Sequence, residues 1–435
     1  MDAEKRLTGT PENAPGSLPV LAVLSLVVGS AAGLIGACFR LALQQADHFR
    51  DVAIARAHGA NLGGLVLVIA ACAAATAVAA WLVRRFSPYA SGSGIPHAEG
   101  VLRGELPQAP IQLIPVKFVG GLLAIGSGLA LGREGPSVQM GASISYFLGR
   151  VFRRELPDCL VLLAAGAGAG LATAFNAPIA GGVFVLEELV RRFDTRIAIA
   201  TFGASAAAIA VSRVFLGAQP DFAIEIQPYP GIATVPFHLA LGVLAGLLGV
   251  AYNKTILGAL SATGRLHRWP VELRAALIGG LVGLIAWAAP SVVGGGEAIT
   301  QRTLIGNETL QWLLLVFLLR FGLGAVSYAA RTPGGLFAPL LVLGAQSGLL
   351  FGKFCGRWLP DPASDPRAFG VVGMAAFFTA VVRAPVTGII LITEMTSNFT
   401  LLLPMLSACF TAMLVPTLLG NEPIYDSLRE HASRN

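Results

Sequence analysis

Charge is what this sequence has least of. Asp, Glu, Lys and Arg make up 12% of its 435 residues, about half the ~25% of soluble globular chains. With hydrophobic residues at 55%, the chain has too little polar surface to face water all round and too much apolar surface to stay unfolded. Lipid is the solvent this composition implies. Cysteine is scarce and scattered. Cys38, Cys72, Cys159, Cys355 and Cys409 stand singly with no CxxC pair, so neither a disulfide framework nor a metal site is expected. The six histidines are equally dispersed. No GxSG, HExxH or GxGD motif occurs, which leaves an intramembrane hydrolase without its paired catalytic groups. No enzymatic activity and no cofactor are expected. The net charge of +6 would raise nucleic acid as a partner in a soluble protein, but no basic patch interleaves with aromatics. The arginines fall instead in short clusters between apolar stretches: Arg84 and Arg85, Arg153 and Arg154, Arg191 and Arg192, Arg265 and Arg268. That is a pattern of topology and headgroup contact. A cleaved leader is missing too. Residues 1–16 are polar, mixed in charge and punctuated by Pro11 and Pro15, so the apolar stretch from about Leu18 reads as a retained span.

Long apolar stretches are what the sequence has in plenty. They recur near 18–44, 62–83, 111–131, 159–175, 196–216, 236–252, 272–290, 310–330 and 398–419, and several reach the ~20 residues that cross a bilayer. Glycine, at 52 residues, is well above the usual ~7% and lets helices approach closely. Other segments, 132–150, 176–190, 334–353 and 369–395, are short or broken by Gly and Pro. Broken backbone at membrane depth survives only where protein or a water-filled cavity covers it, which excludes a plain bundle. The broken segments also repeat. The pattern G-x-x-x-P-x-x-x-x-G-A runs from Gly132 to Ala142 and again from Gly335 to Ala345. The pattern A-P-[IV]-x-G-x5-E runs from Ala177 to Glu187 and again from Ala384 to Glu394. The offsets, 203 and 207 residues, imply two homologous halves of an all-α polytopic membrane protein, roughly 17–216 and 235–420. A connector at 217–234 joins them, and a short polar tail, 421–435, follows with no regulatory domain. Broken helices at matching places in two halves point to a transport site. The offsets leave open whether the repeat is parallel or inverted.

Three motifs carry the chemistry. Ser91-Gly92-Ser93-Gly94-Ile95-Pro96 exposes backbone N–H groups and a hydroxyl, donors that suit a dehydrated anion which must also leave; it is equally readable as a turn before a helix with Pro96 near its start. Gly132-Arg133-Glu134-Gly135-Pro136 starts a helix, whose free N–H groups and dipole form an anion site. Glu134 either occupies that site and yields it when protonated or displaced, or merely stabilises the helix start or pairs with Arg133. Gly334-Gly335-Leu336-Phe337-Ala338-Pro339 is the repeat partner without an acid. Glu187 and Glu188 close an apolar run. An acid at membrane depth costs ~2.5–3.5 kcal/mol on insertion scales, so one of the two relays protons, or both are solvated and neutralised by Arg191 and Arg192. Lys117 and Glu99 read as snorkelling or mutually paired charges.

Together, in this order and over almost the whole chain, these motifs and a late Tyr425 in Pro423-Ile424-Tyr425 resemble the CLC family of chloride channels and proton/chloride antiporters. Leu336 stands where the family often has Ile, a mild change because the backbone N–H meets the anion. The resemblance implies an inverted repeat of about eighteen helices, broken at the midplane, in a homodimer with one pathway per subunit, in a bacterial inner membrane. It implies that the Ser93 and Tyr425 hydroxyls and the Leu336 and Phe337 amides hold chloride, with Gly92 and Gly135 beside them. It makes Glu134 the gate and a proton carrier, and Glu188 the inner proton-transfer acid, where channel members commonly lack one. The lack of a CBS domain pair looks like a prokaryotic member. Ser93 fits chloride, since nitrate-preferring relatives tend to have Pro there and fluoride-specific ones depart from Ser. A passive channel and a fluoride exporter of the same family are the alternatives.

Overall fold

The computed structural model describes residues 17–225, 231–266, 268–356 and 365–434; the polar stretch 1–16 and part of the 217–234 connector lie outside the described residues. Among these residues all regular structure is helical apart from two isolated β-bridges. The first half comprises α1 (Ser17–Ala57), α2 (Asn61–Phe86), α3 (Ile95–Arg103), α4 (Leu113–Gly126), α5 (Glu134–Val151), α6 (Leu156–Phe175), α7 (Pro178–Phe184) and α8 (Thr195–Leu216). The second comprises α9 (Val235–Arg265), α10 (Val271–Ala288), α11 (Glu297–Ile305), α12 (Leu310–Tyr328), α13 (Phe337–Cys355), α14 (Pro366–Val382), α15 (Pro385–Thr396) and α16 (Leu402–Leu418). Among the described residues, eight stretches are long and apolar enough to cross a membrane. At 1.5 Å per residue, α1 with its 41 residues is about 60 Å long, twice the ~30 Å hydrocarbon thickness, so it must tilt or project.

The halves match element by element, down to the nine-residue pair α3 and α11. Each of these starts and ends at a left-handed glycine: Gly94 (φ 86°) and Gly104 (φ 73°) for α3, Gly296 (φ 106°) and Gly306 (φ 82°) for α11. At the centre, Gly132 and Gly335 exchange both backbone bonds, N to O 2.8 Å one way and 2.7 Å the other. Equivalent residues that bond reciprocally in an antiparallel bridge lie on a local two-fold axis, which relates the two halves. The axis passes between the starts of α5 and α13.

Glycine content now has a packing reason. A Cβ on Gly141 of α5 would sit 2.3 Å from the Gly166 carbonyl of α6, and one on its repeat partner Gly344 of α13 would sit 2.6 Å from Gly373 of α14. Helices α6 and α14 are apolar all round and buried along nearly their whole length, as core helices are. The apolar stretch at 159–175 therefore packs against protein and not lipid.

The polar tail is not merely a tail. Residues Ile424–Arg434 form a helix, α17. Its Ile424, Tyr425 and Leu428 are buried. Its Arg429 pairs with Glu99 (2.8 Å) and Glu105 (3.2 Å), and its Asp426 with Arg191 (2.9 Å). The segment that carries Tyr425 is thus a helix folded back onto the core, and its hydrophilic composition gave no sign of the helix.

Candidate functional site

The Ser91–Gly94 loop is built by left-handed glycines and anchored from the other half of the chain. Gly92 (φ 62°) donates its N–H to Thr332 O (3.1 Å) and accepts from Gly334 N (3.1 Å). Lys117, fully buried on α4, donates through Nζ to the carbonyls of Ala90 (3.0 Å) and Gly92 (2.7 Å). Lys117 thus neither snorkels nor pairs with Glu99, contrary to the expectation from sequence. Glu99, 1% exposed, is held instead by Arg103 (2.6 Å), Arg429 (2.8 Å) and Arg191 (3.5 Å). Ser93 is fully buried. Gly135, in the first turn of α5, lies against it so closely that a Cβ there would be 2.5 Å from the Ser93 hydroxyl, so only glycine fits.

The starts of α5 and α13 meet at the two-fold axis. First-turn N–H groups of a helix have no acceptor within the helix. Glu134 is fully buried, and its Oε1 accepts from the backbone N–H of Ala338, in the first turn of α13, at 2.7 Å. The carboxylate of one half therefore lies at the anion-attracting helix start of the other. No ion pair offsets it among the described residues, because Arg133 turns away to Glu297 (2.6 Å), Asp221 (3.2 Å) and the Ala174 carbonyl (2.9 Å). Pairing of Glu134 with Arg133, one of the two readings of that motif, is not what the geometry gives.

Tyr425 brings α17 to the same place. It is fully buried, its ring stacks on Phe337 with centroids 6.1 Å apart, and its phenol lies beside Ser93 and within electrostatic reach of Glu134 and Glu188. Neither the Ser93 Oγ nor the Tyr425 Oη closes a hydrogen bond of its own. Buried hydroxyls are normally satisfied, so two of them side by side suit an anion that accepts from both. Leu336 and Phe337 sit at the start of α13, fully buried, and Phe337 packs against Phe184 (5.7 Å) and Phe378 (4.7 Å). A cavity of about 440 Å³ reaches the loop past Ser91, Gly92 and Gly94.

Glu187 and Glu188 divide. Both sit on a single π-helical turn, Val185–Leu189, that ends α7; such widened turns recur at functional sites. Glu188 points inward, 3% exposed, and pairs with Arg191 at 3.3 Å. Glu187 points the other way and caps α15, accepting from Val386 N (3.0 Å), Thr387 N (2.6 Å) and Thr387 Oγ1 (2.7 Å). Its repeat partner Glu394 caps α7 in return, accepting from Ile179 N (3.1 Å) and Ala180 N (2.8 Å). The motif A-P-[IV]-x-G-x5-E is a reciprocal capping device, and of the two readings of these acids the solvated pair neutralised together by Arg191 and Arg192 is not what the geometry gives: Glu188 is buried on Arg191 and Glu187 caps α15.

Sequence reasoning missed two positioning residues. Arg320 matches Lys117 at the 203-residue offset. It is 1% exposed and donates to the carbonyls of Gly294 (2.7 Å) and Gly295 (3.2 Å). Tyr328 accepts from Ser93 N at 3.4 Å. A lone cation in each apolar stretch at one offset was the available signal for the first; Tyr328 carried none.

The family model described as voltage gated chloride channel matches residues 75–417. The H(+)/Cl(-) exchange transporter ClcA of Vibrio parahaemolyticus is 36% identical over 428 residues, covering 97% of this chain and 91% of its own length. The protein of that name from Vibrio cholerae is 38% identical over 418 residues, covering 95% and 89%. A solved structure described as a slow cyanobacterial Cl-/H+ antiporter superposes with a TM-score of 0.89 at 30% identity, over 95% of this chain and 97% of that one. A CLC-type fluoride/proton antiporter superposes at 0.77 with 23% identity, over 95% and 98%, a likeness of fold alone.

Proposed function

The chain belongs to the voltage-gated chloride channel family, and from that premise we propose that it exchanges chloride for protons as a secondary active transporter. It is an integral membrane protein, and its eight apolar stretches and bacterial relatives fit a bacterial inner membrane. The observation that carries exchange over passive conduction is a second buried acid, Glu188, within electrostatic reach of the Tyr425 phenol, in addition to Glu134. A channel needs only the first.

The Glu134 carboxylate accepts at a helix start where chloride would also be held, so the two compete. Protonation removes the charge and the claim on that N–H, and chloride enters. Chloride is held in our reading by the Ser93 and Tyr425 hydroxyls and by the N–H groups of Leu336 and Phe337, with Gly92 and Gly135 permitting the close approach. None of these donors has a fixed charge, so binding stays weak enough for release. Glu134 carries the proton through the anion path, and Glu188 passes it between that path and the aqueous side. Since protonation frees the path, chloride flux rises as pH falls.

We read the chain as a transporter and not an enzyme, and as a homodimer with one pathway per subunit. The family resemblance supports both, and mass measurement in detergent tests the second. Chloride is favoured over fluoride by the Ser93 hydroxyl. Purified protein in liposomes, with chloride and pH electrodes recording together under an imposed chloride gradient, tests the whole proposal. Protons driven uphill by chloride support it, and chloride current without proton movement means a channel.

A further inference from the structure

Every nitrogen of the Arg133 guanidinium is engaged, and none of them on the neighbouring Glu134. Nη1 meets Glu297 at the start of α11 (2.6 Å), Nη2 meets Asp221 in the connector (3.2 Å), and Nε donates to the Ala174 carbonyl of α6 (2.9 Å). Asp221 spends its other carboxylate oxygen on Arg40 of α1 (2.6 Å). Arg133 and Asp221 are buried, whereas Glu297 is 46% exposed, so this chain of charges meets water at Glu297.

The segment that carries Asp221 is pinned on both sides. The Gln219 carbonyl accepts from Asn176 Nδ2 (2.8 Å), and Phe222 donates its N–H to the Met395 carbonyl (3.0 Å). Ala223 exchanges two bonds with the Gln301 side chain (3.1 and 2.8 Å). The connector therefore does more than join the halves. It fixes a buried carboxylate on the arginine that precedes Glu134.

Two cations, Arg40 and Arg133, and two acids, Asp221 and Glu297, close as a neutral chain. Glu134 is left over. It is fully buried and has no ion-pair partner among the described residues, although Arg133 and Glu297 both lie within electrostatic reach of it. The remaining charges nearby are spoken for: Asp47 of α1, which reaches Glu297, is taken with Asp51 by Arg50 (2.5 and 3.0 Å). From α17 only the Tyr425 phenol reaches Glu134. A buried carboxylate with no partner gives up its charge readily, whereas an opposite charge gained nearby lets it stay ionised roughly 1–3 pH units further into acid.

We propose that Glu297 and Asp221 are positioning residues of the gate: by neutralising Arg133 and holding it away from Glu134, they keep the Glu134 carboxylate free of a counter-charge and able to take up protons. On the reading that Glu134 opens the path when protonated, on which this inference rests, loss of either acid leaves one positive charge in excess beside Glu134. That charge stabilises the carboxylate, so protonation, and the chloride flux that follows it, needs a lower pH. Loss of Arg133 does the reverse. It leaves one negative charge in excess, and the path opens at higher pH.

The test is the pH dependence of chloride efflux from liposomes that hold the full chain. Glu297→Gln should move the midpoint of the flux profile about one pH unit or more into acid, as should Asp221→Asn. Arg133→Gln should move it the other way. The double variant Arg133→Gln, Glu297→Gln, whose chain of charges is neutral again, should return close to wild type, and Glu297→Asp, which keeps the charge, should stay there. Glu225→Gln, at a connector acid that pairs with Arg367 (3.0 Å), should behave as wild type. The three charge-changing single variants read one balance, so one that fails to fold leaves the others to decide. A Glu297→Gln protein with lower flux at every pH and an unmoved midpoint would make Glu297 merely structural and overturn the proposal, as would shifts of the same sign for Glu297→Gln and Arg133→Gln. A wild type whose flux ignores pH overturns the reading of Glu134 and this inference with it. A wild type that responds, with Glu297→Gln and Asp221→Asn unmoved, overturns this inference alone.

Discussion

The two halves of this protein share their scaffold and differ in their chemistry. At two matched places both halves carry a charged residue that holds backbone. Lys117 and Arg320 each bind the carbonyls of a glycine loop, and Glu187 and Glu394 each cap a helix of the opposite half. The residues proposed for ion transport have no such counterpart. Ser93 matches Gly295, Glu134 matches Phe337, and Glu188 matches Met395. A duplicated fold offers two helix starts facing one axis; one half supplies the acid, and the other supplies the N–H that receives it, Ala338.

That contrast can be broken at its strongest point first. Glu134→Gln should abolish proton movement and leave a passive chloride flux with no response to pH, because glutamine resembles the protonated acid but cannot cycle a proton; liposome efflux across an acidic-to-neutral series measures it. Tyr425→Ala should come next. Loss of a hydrogen bond to a charged partner costs roughly 1.5–3 kcal/mol, so calorimetric chloride affinity should fall about tenfold to a hundredfold, with looser coupling; wild-type values in both would remove Tyr425 from the site. The matched cations sharpen the comparison. Lys117→Met and Arg320→Met should each destabilise the folded protein by roughly 1–3 kcal/mol, since both orphan buried carbonyls. Only Lys117→Met should also weaken chloride binding, because only its loop carries Ser93. Thermal unfolding in detergent with chloride titration separates the two effects. Ser93→Pro should act more narrowly, raising nitrate flux relative to chloride flux, and an unchanged ratio in folded protein would contradict its role. Gly295→Ser should do least. Gly295 lies outside the left-handed region, and a Cβ there would be 3.5 Å from its nearest neighbour, so transport and selectivity should both stay as in wild type.

Much of this frame was legible as spacing. Two motif pairs at nearly one offset revealed the repeat, and the Gly-Pro breaks revealed where helices start. Reach across the two-fold axis was not legible: nothing near Glu134 in sequence announces that its partner is the N–H of Ala338. The third repeated element, Gly92-Ser93-Gly94 against Gly294-Gly295-Gly296, shares only glycines and escaped notice for that reason. Lys117 looked like a snorkelling lysine because a lone cation in an apolar run carries no mark of what it binds. Glu187 and Glu188 looked interchangeable, residue by residue, because adjacent acids at a helix end carry no mark of which one faces the core, and the π-helical turn that carries them leaves no pattern in the sequence. The helix of Tyr425 was hidden by hydrophilicity that serves ion pairs and not solvent.

Those two adjacent acids test the central claim most directly. Glu187→Gln and Glu188→Gln change neighbouring residues by the same atoms, and coupled proton and chloride fluxes can be recorded for both in the same liposomes. The account predicts that Glu187→Gln still drives protons with chloride, at the cost of a lower unfolding temperature from its weakened cap on α15. It predicts that Glu188→Gln folds as wild type, moves no protons, and keeps a chloride flux that rises as pH falls because Glu134 still titrates. A Glu188→Gln protein that pumps protons against their gradient, or a well-folded Glu187→Gln protein that does not, would contradict it.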